Sequence, residues 1–187
     1  MGVRMKINPL PIEGAAVVDA VPLEDRRGVF CRWFCSDELV SLIRSRQIVN
    51  VNFSKTEEEG SIRGMHFQYP PKAEMKLVRC LHGKVFDVVV DLRKNSSTFL
   101  QWHGEILSPE NMRMMVVPEG VAHGFQTLEN QSEMLYLHTE FYSREHDAGV
   151  RYDDPAIGIK WPEPVTNVSE KDRSHPLLGK EFEGISV

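Results

Sequence analysis

No apolar run in this 187-residue chain reaches the roughly 18 residues of a membrane-spanning helix, so no membrane segment is expected. Cysteine is scarce. Cys31, Cys35 and Cys80 make an odd count, and C-x3-C is neither a redox CxxC nor a paired zinc knuckle. Reduced thiols in a cytoplasmic protein are the expectation. Basic residues are outnumbered: 22 Lys and Arg face 27 Asp and Glu, a formal net charge of −5. Such a chain has no global attraction to nucleic acid or anionic membrane, and an anionic ligand must be met by local cations. Glycine-rich phosphate loops are absent, which excludes a Rossmann or P-loop enzyme. There is no GxSxG, and Cys31 and Cys35 lie beside Arg32 and Trp33 without an evident base, so nucleophilic catalysis is not indicated. The start, MGVRMKINPLPIEG, lacks the apolar stretch of a secretory signal, and Lys6 stands where a myristoylated Met-Gly terminus usually has Ser or Thr. What remains is ordinary: 41% hydrophobic and 26% charged residues describe a soluble globular chain, read as a single domain over 1–187.

Helical periodicity is also scarce. The spacing predicts one helix over 37–46, with Ser36 as N-cap, acids in the first turn, and Leu39, Leu42 and Ile43 as its apolar stripe. Most of the chain reads instead as short strands between turn signals: 15–21, 29–34, 48–54, 62–68, 76–81, 85–92, 102–107, 112–117, 124–128 and 133–139. Roughly ten such strands predict an all-β sandwich or barrel. The FDVVVDL run is apolar on both faces and is expected to be interior. From Asp153 the pattern breaks into DDP, WPEP and SHP turns, read as an ordered wrap with short helical turns whose last residues, 180–187, fray.

Polar residues fall where a barrel lining is expected. Period-2 alternation puts Gly64, His66 and Gln68 on one face of their strand, Lys76 with Val78 and Cys80 on the next, and Met134, Tyr136 and His138 together on a third. Buried polar groups cost free energy unless paired, so a set of them points to a ligand site. Arg63 has the opposite parity to His66. Either it faces outward, or Gly64 permits a bulge that turns it inward. A metal-dependent cupin-type barrel is the competing reading, with His66, Glu74 and His123 as ligands, although Gln68 stands where such sites carry the second His of His-x-His.

The run SIRGMHFQYPPKAEMKLVRCLHGKVFDVVVDLRKNSSTF, followed by LSPENMRMMVVPEGVAHGFQTL, resembles the dTDP-4-dehydrorhamnose 3,5-epimerase family. EDRRGVF, NFS at 52–54, EMLY at 133–136, FYS at 141–143, DDPAIGIKWP and VSEKD agree with it. The resemblance covers about 14–175 and leaves 176–187 as a C-terminal tail. It implies a cupin-type β-jelly roll with a few short helices, no catalytic metal, no cofactor, and a homodimer with N-terminal strands exchanged or packed across the interface. The implied substrate is a nucleotide-linked 4-keto-6-deoxyhexose on the way to L-rhamnose or a related surface-polysaccharide sugar.

The C4 ketone of such a sugar acidifies the protons on C3 and C5. Inversion then needs a base on one ring face, stabilisation of the enolate, and an acid on the other face. By the resemblance, His66 is the base, Asp172 the carboxylate that orients it, Lys76 the cation at the C4 oxygen, and Tyr136 the acid. Arg27, Arg63 and His123 match contacts to nucleotide phosphate or sugar, Asn52 lies in the segment lining the nucleotide site, and Tyr142 matches an aromatic stacking on the base. Gln68 and Arg32 are further candidate substrate contacts. The chain departs from the family pattern at Arg32, where Glu is common, at Asn50-Val51 and at Ser169-Glu170. These departures fall near the nucleotide and leave open its base and the exact sugar; inversion at C3 alone is a separate alternative, because the same acid–base set can serve one carbon or both. A non-catalytic sugar-nucleotide binding domain is the reading from another class.

Overall fold

The computed structural model describes residues 4–187, so the Met-Gly start lies outside the described residues. The strands, in chain order, are β1 (Met5–Pro9), β2 (Ala16–Ala20), β3 (Leu23–Asp25), β4 (Gly28–Phe30), β5 (Asn50–Thr56), β6 (Ile62–Gln68), β7 (Lys76–His82), β8 (Val85–Asp91), β9 (Trp102–Leu107), β10 (Arg113–Val117), β11 (Val121–Thr127), β12 (Ser132–His138) and β13 (Asp147–Gly149). Two short helices join them: α1 (Val40–Ile43) between β4 and β5, and α2 (Glu170–Ser174) near the C-terminus. A six-stranded sheet runs β1-β2-β10-β7-β12-β5, a five-stranded sheet runs β13-β6-β11-β8-β9, and β3 pairs only with β4. Every pairing between these strands is antiparallel. This is the expected all-β jelly roll.

Alternation along the strands explains the layering. Val17, Val78, Cys80, Met115, Val117 and Met134 of the six-stranded sheet meet Val85, Val89, Leu107, Val121 and Phe125 of the five-stranded sheet in one buried cluster. The outer face of the five-stranded sheet is not solvated. Met65, Phe67, Val88 and Val90 lie beneath Ile157, Trp161, Leu178, Phe182 and Ile185 of the C-terminal segment. That is why β8 is apolar on both faces: the sheet pairs it with β11 and β9 at its edges, the sandwich covers one face and the tail covers the other. On the far side, Ala16, Val18, Leu77, Met114 and Val116 are covered by Leu39 and Ile43 of the α1 region.

Three expectations need correction. The helix over 37–46 shrinks to Val40–Ile43, and Leu39, not Ser36, stands at its N-cap without a side-chain cap. The Glu38 carboxylate is held by the Met5 N–H at 2.7 Å and by Arg32, which ties the would-be first turn to β1, and Arg44 at φ 52° ends the helix. The strand over 29–34 stops at Phe30, because the chain leaves the ribbon and lays Trp33 over the buried Arg79 guanidinium, 4.9 Å from the ring centroid. The last residues do not fray. Ile185 is buried, and its N–H and carbonyl bond Leu92 and Lys94 at 2.7 and 2.8 Å. β1, β3 and β13 were not anticipated. They are short, and β1 ends on Pro9 at a sheet edge, where the missing N–H breaks no ladder. Among the described residues no helix is long and apolar enough to cross a membrane, and all three cysteines are unpaired.

Candidate active site

At one end of the sandwich the two sheets part around a cavity of about 720 Å³. It is lined by Asn52, Arg63, His66, Lys76, His123, Tyr136 and Asp172 from the sequence-derived set, together with Ser54, Lys55, His138 and Lys171 among others. His66 on β6 and His123 on β11 are register partners in the five-stranded sheet. Lys76 on β7, Tyr136 on β12 and Asn52 on β5 come from the six-stranded sheet. The five-stranded sheet thus presents the imidazoles of His66 and His123, and the six-stranded sheet a phenol, an ammonium and the His138 imidazole.

The His66 Nε2 lies 2.7 Å from Asp172 Oδ1, across 106 residues of sequence. Asp172 Oδ2 accepts from the Gly64 N–H at 3.2 Å, and the Ser169 Oγ caps α2 by accepting from the Asp172 N–H at 3.0 Å. Burial would raise the Asp172 carboxyl, but the His66 hydrogen bond and charge outweigh it and hold the group below its usual range. With Nε2–H donating to this carboxylate, Nδ1 is the ring nitrogen left to accept a proton.

Lys76 is almost wholly buried, with Nζ 3.3 Å from the His66 carbonyl and 3.2 Å from Glu74 Oε1. The other Glu74 oxygen takes His138 Nδ1 at 2.7 Å. Burial pushes the Glu74 carboxyl up, yet His138 and Lys76 together keep it below the usual range, so it stays ionised opposite the ammonium. The Tyr136 hydroxyl sits 2.8 Å from Ser54 Oγ, and its ring lies edge-on to His123 at 6.4 Å. Burial drives this phenol well above its ordinary value, only partly opposed by Ser54, so it keeps its proton at neutral pH. His123 Nε2 is 2.8 Å from the fully buried Asp87 Oδ2, whose carboxyl is raised by burial against the pull of His123.

Arg63 settles its parity question. The β6–β11 register shifts at a bulge between His123 and Phe125, opposite Gly64, and both Arg63 and His66 line the cavity. Arg63 is steered by Thr56 Oγ1 at 2.8 Å and the Lys55 carbonyl at 3.1 Å. Four candidates are not brought into the cavity of this chain. Gln68 is buried and occupied by the Lys72 and Phe141 carbonyls and the Ser143 N–H. Tyr142 is exposed, with its hydroxyl on Asp147 at 3.1 Å. Arg27 lies on the β3–β4 ribbon bound to Asp25, and Arg32 is bound to Glu38. The metal triad His66, Glu74 and His123 is not assembled either: Glu74 is engaged by Lys76 and His138, and His123 by Asp87.

Sequence reasoning missed Ser54, Asp87 and Lys171. Asp87 had a signal, since it shares an inward parity with Val85 and Val89 where a lone carboxylate needs a partner. Ser54 and Lys171 had none beyond proximity to named residues. The Cys80 thiol is pushed up to about 12 by burial and stays protonated.

Comparison with known proteins bears on this arrangement. A family model described as dTDP-4-dehydrorhamnose 3,5-epimerase matches residues 9–180. A relative of that name from Sinorhizobium fredii is 45% identical over 176 residues, 94% of this chain and 90% of the relative. The structure of the Bacillus anthracis dTDP-4-dehydrorhamnose 3,5-epimerase with TDP and PPi bound superposes with a TM-score of 0.89 at 41% identity, covering 93% of this chain and 99% of that one. A Legionella pneumophila dTDP-6-deoxy-D-glucose-3,5-epimerase in complex with dTDP-4-keto-L-rhamnose gives 0.89 at 35% identity, covering 98% and 100%. With its jelly roll, its sheet-lined cavity and these matches along nearly the whole length, the chain belongs to the dTDP-4-dehydrorhamnose 3,5-epimerase family, isomerases that act on sugar nucleotides.

Proposed function

We propose that this protein inverts C3 and C5 of dTDP-4-dehydro-6-deoxy-D-glucose to give dTDP-4-dehydro-L-rhamnose, without a metal or redox cofactor, in the cytoplasm. The observation that carries this reading is the pairing across the cavity: His66 on one sheet, backed by Asp172 of α2, and a protonated Tyr136 on the other sheet. A pyranose between the sheets meets a base on one face and an acid on the other.

The steps follow from these positions. His66 Nδ1 takes the proton from C5, and the electron pair moves into the C4 carbonyl to form an enolate. Asp172 stabilises the resulting imidazolium through its short hydrogen bond. Lys76 supplies the positive charge at the C4 oxygen, where the enolate charge develops. Tyr136 delivers a proton to the opposite face and recovers it from solvent through Ser54. The same cycle at C3 completes the inversion, and each proton removed is replaced. Arg63, His123 and Asn52 are assigned to the sugar nucleotide, with Lys55 and Lys171 adding local positive charge around an otherwise acidic chain.

A homodimer is part of the proposal. The β3–β4 ribbon exposes Leu23, Val29 and Phe30, while the edge strand β5 exposes Val51 and Phe53. Association would cover these apolar residues, and it is the route by which Arg27 and Arg32 could approach a nucleotide.

Proton NMR of the purified protein with dTDP-4-dehydro-6-deoxy-D-glucose in deuterium oxide tests the function. Loss of both the C3 and C5 proton signals is expected, and His66→Ala should abolish both. Loss at C3 alone would reassign the protein as a 3-epimerase. Absence of exchange would refute the proposed substrate.

A further inference from the structure

Beside the dyad lies a titratable side chain that the epimerisation does not use. His175 follows α2 directly, three residues after Asp172, a spacing that brings both to one side of the helix end. Its ring stands edge-on to His66, with centroids 6.3 Å apart and planes at 70°. Its Nε2 is buried and has no hydrogen-bond partner, against the usual pairing of buried polar atoms. One ligand atom from each of His66, Asp172 and His175 lies within 4.8 Å of the others, and among the described residues this is the group of His, Cys, Asp and Glu side chains that could hold an ion.

We propose that His66, Asp172 and His175 form a binding site for a zinc-class divalent cation, and that filling it switches the enzyme off. Two imidazoles and one carboxylate are ligands that suit zinc and its neighbours in the first transition row. Zinc bonds of about 2.0–2.2 Å in a tetrahedron separate ligand atoms by about 3.3–3.6 Å. The His66–Asp172 pair, now at 2.7 Å, opens by under about 1 Å, and His175, within 4.8 Å of both, closes by at most about 1.5 Å. Both adjustments are within reach of side-chain rotation. The His66 side chain is 34% exposed towards the cavity, which gives the ion an entry path and leaves the fourth position to water. Lys171, the nearby cation, is already held by Asp147.

The switch follows from tautomer chemistry. An ion on His66 Nε2 replaces the proton that Nε2 donates to Asp172, and that proton moves to Nδ1. The nitrogen assigned to take the substrate proton then carries one of its own and cannot act as base. With the ion on Nε2, between the ring and the carboxylate, Asp172 turns from orienting the ring to ligating the metal.

Inhibition rests on the catalytic reading of His66, while binding of the ion does not, so two readouts separate them. Chelator-stripped full-length protein is titrated with Zn²⁺ in competition with a chromophoric zinc chelator, for wild type, His175→Ala and His175→Gln. The expected result is one zinc per wild-type chain and an affinity weaker by roughly tenfold or more in both variants, since zinc sites rest on at least three protein ligands. In the deuterium-exchange assay, zinc should slow the wild type in competition with substrate. Both variants should exchange at the wild-type rate and ignore zinc at the same concentration. No zinc binding by wild type, or equal affinity in all three proteins, overturns the site. Zinc bound through His175 without slowing exchange overturns the switch. A wild type that binds zinc through His175 but never exchanges leaves the site standing and refutes the epimerase reading instead.

Discussion

Replacing Asp172 by Asn removes a charge and one acceptor while keeping the shape. The carboxylate serves two donors, the His66 Nε2–H at 2.7 Å and the Gly64 N–H at 3.2 Å. An Asn side chain has one carbonyl oxygen, so its NH₂ must face one of these donors. In the proposed reaction the loss is felt most after proton abstraction, when the imidazolium has no anion behind it. A hydrogen bond to a charged group contributes about 1.5–3 kcal/mol. At about 1.36 kcal/mol per factor of ten, kcat should fall roughly 10- to 150-fold. The assay is the initial rate of C3 and C5 proton loss in deuterium oxide at saturating substrate, with a thermal melt to confirm folding. A folded Asp172→Asn protein that keeps kcat within about twofold of wild type would refute the dyad, because even the weakest charge-assisted bond exceeds that.

Four further outcomes are expected. Tyr136→Phe keeps the ring packed against His123 but loses the proton donor; epimer formation should drop about 10²-fold or more, while deuterium exchange with retention of configuration persists, and unchanged epimer yield by NMR would count against the role. Asp91 is held at about 2 by Arg93, Ser96 and Thr98 against burial, below an unfolded value of about 3.9, so its stabilisation is complete above that value and is lost as pH falls towards 2. Asp91→Asn should therefore cost about 2 kcal/mol at pH 7, measured by urea unfolding, with the gap to wild type closing near pH 2. Gly124→Ala should destabilise the fold and displace His66, because a Cβ there would sit 2.7 Å from the Arg63 carbonyl and 2.9 Å from the Gly64 Cα, and a wild-type melt would contradict the close β6–β11 approach. Phe30→Asp in the exposed ribbon, with Phe53→Asp on β5, should convert a dimer to a monomer by light scattering, and a monomeric wild type would dismiss the proposed interface.

Much of this protein was legible in its amino acids. Strand alternation placed His66, Lys76 and Tyr136 on inward faces, and the structure puts all three around one cavity. The doubly apolar β8 announced a strand covered on both sides. These readings worked because parity is a local property: each residue's face follows from its neighbours two positions away. Arg63 shows the limit. Its parity was wrong for the cavity, and only the bulge against β11 restored it, a feature made by two strands about sixty residues apart.

The helix over 37–46 failed for a related reason. Local propensity was adequate, but Glu38 found better partners in Met5 and Arg32, and a tertiary contact cut the expected helix back to Val40–Ile43. The fraying tail failed because the bridge of Ile185 to Arg93 cannot be read from the tail alone. Composition and period determined an all-β sandwich with polar groups in its lining, because hydrophobic and polar residues sort to opposite faces whatever the topology. The resemblance named Asp172 as the partner of His66, but tertiary structure alone decided the other meetings: Asp87 with His123, and Glu74 with both Lys76 and His138. Those pairings join residues whose proximity depends on sheet order and strand register, and no stretch of chain shorter than the whole sandwich specifies either.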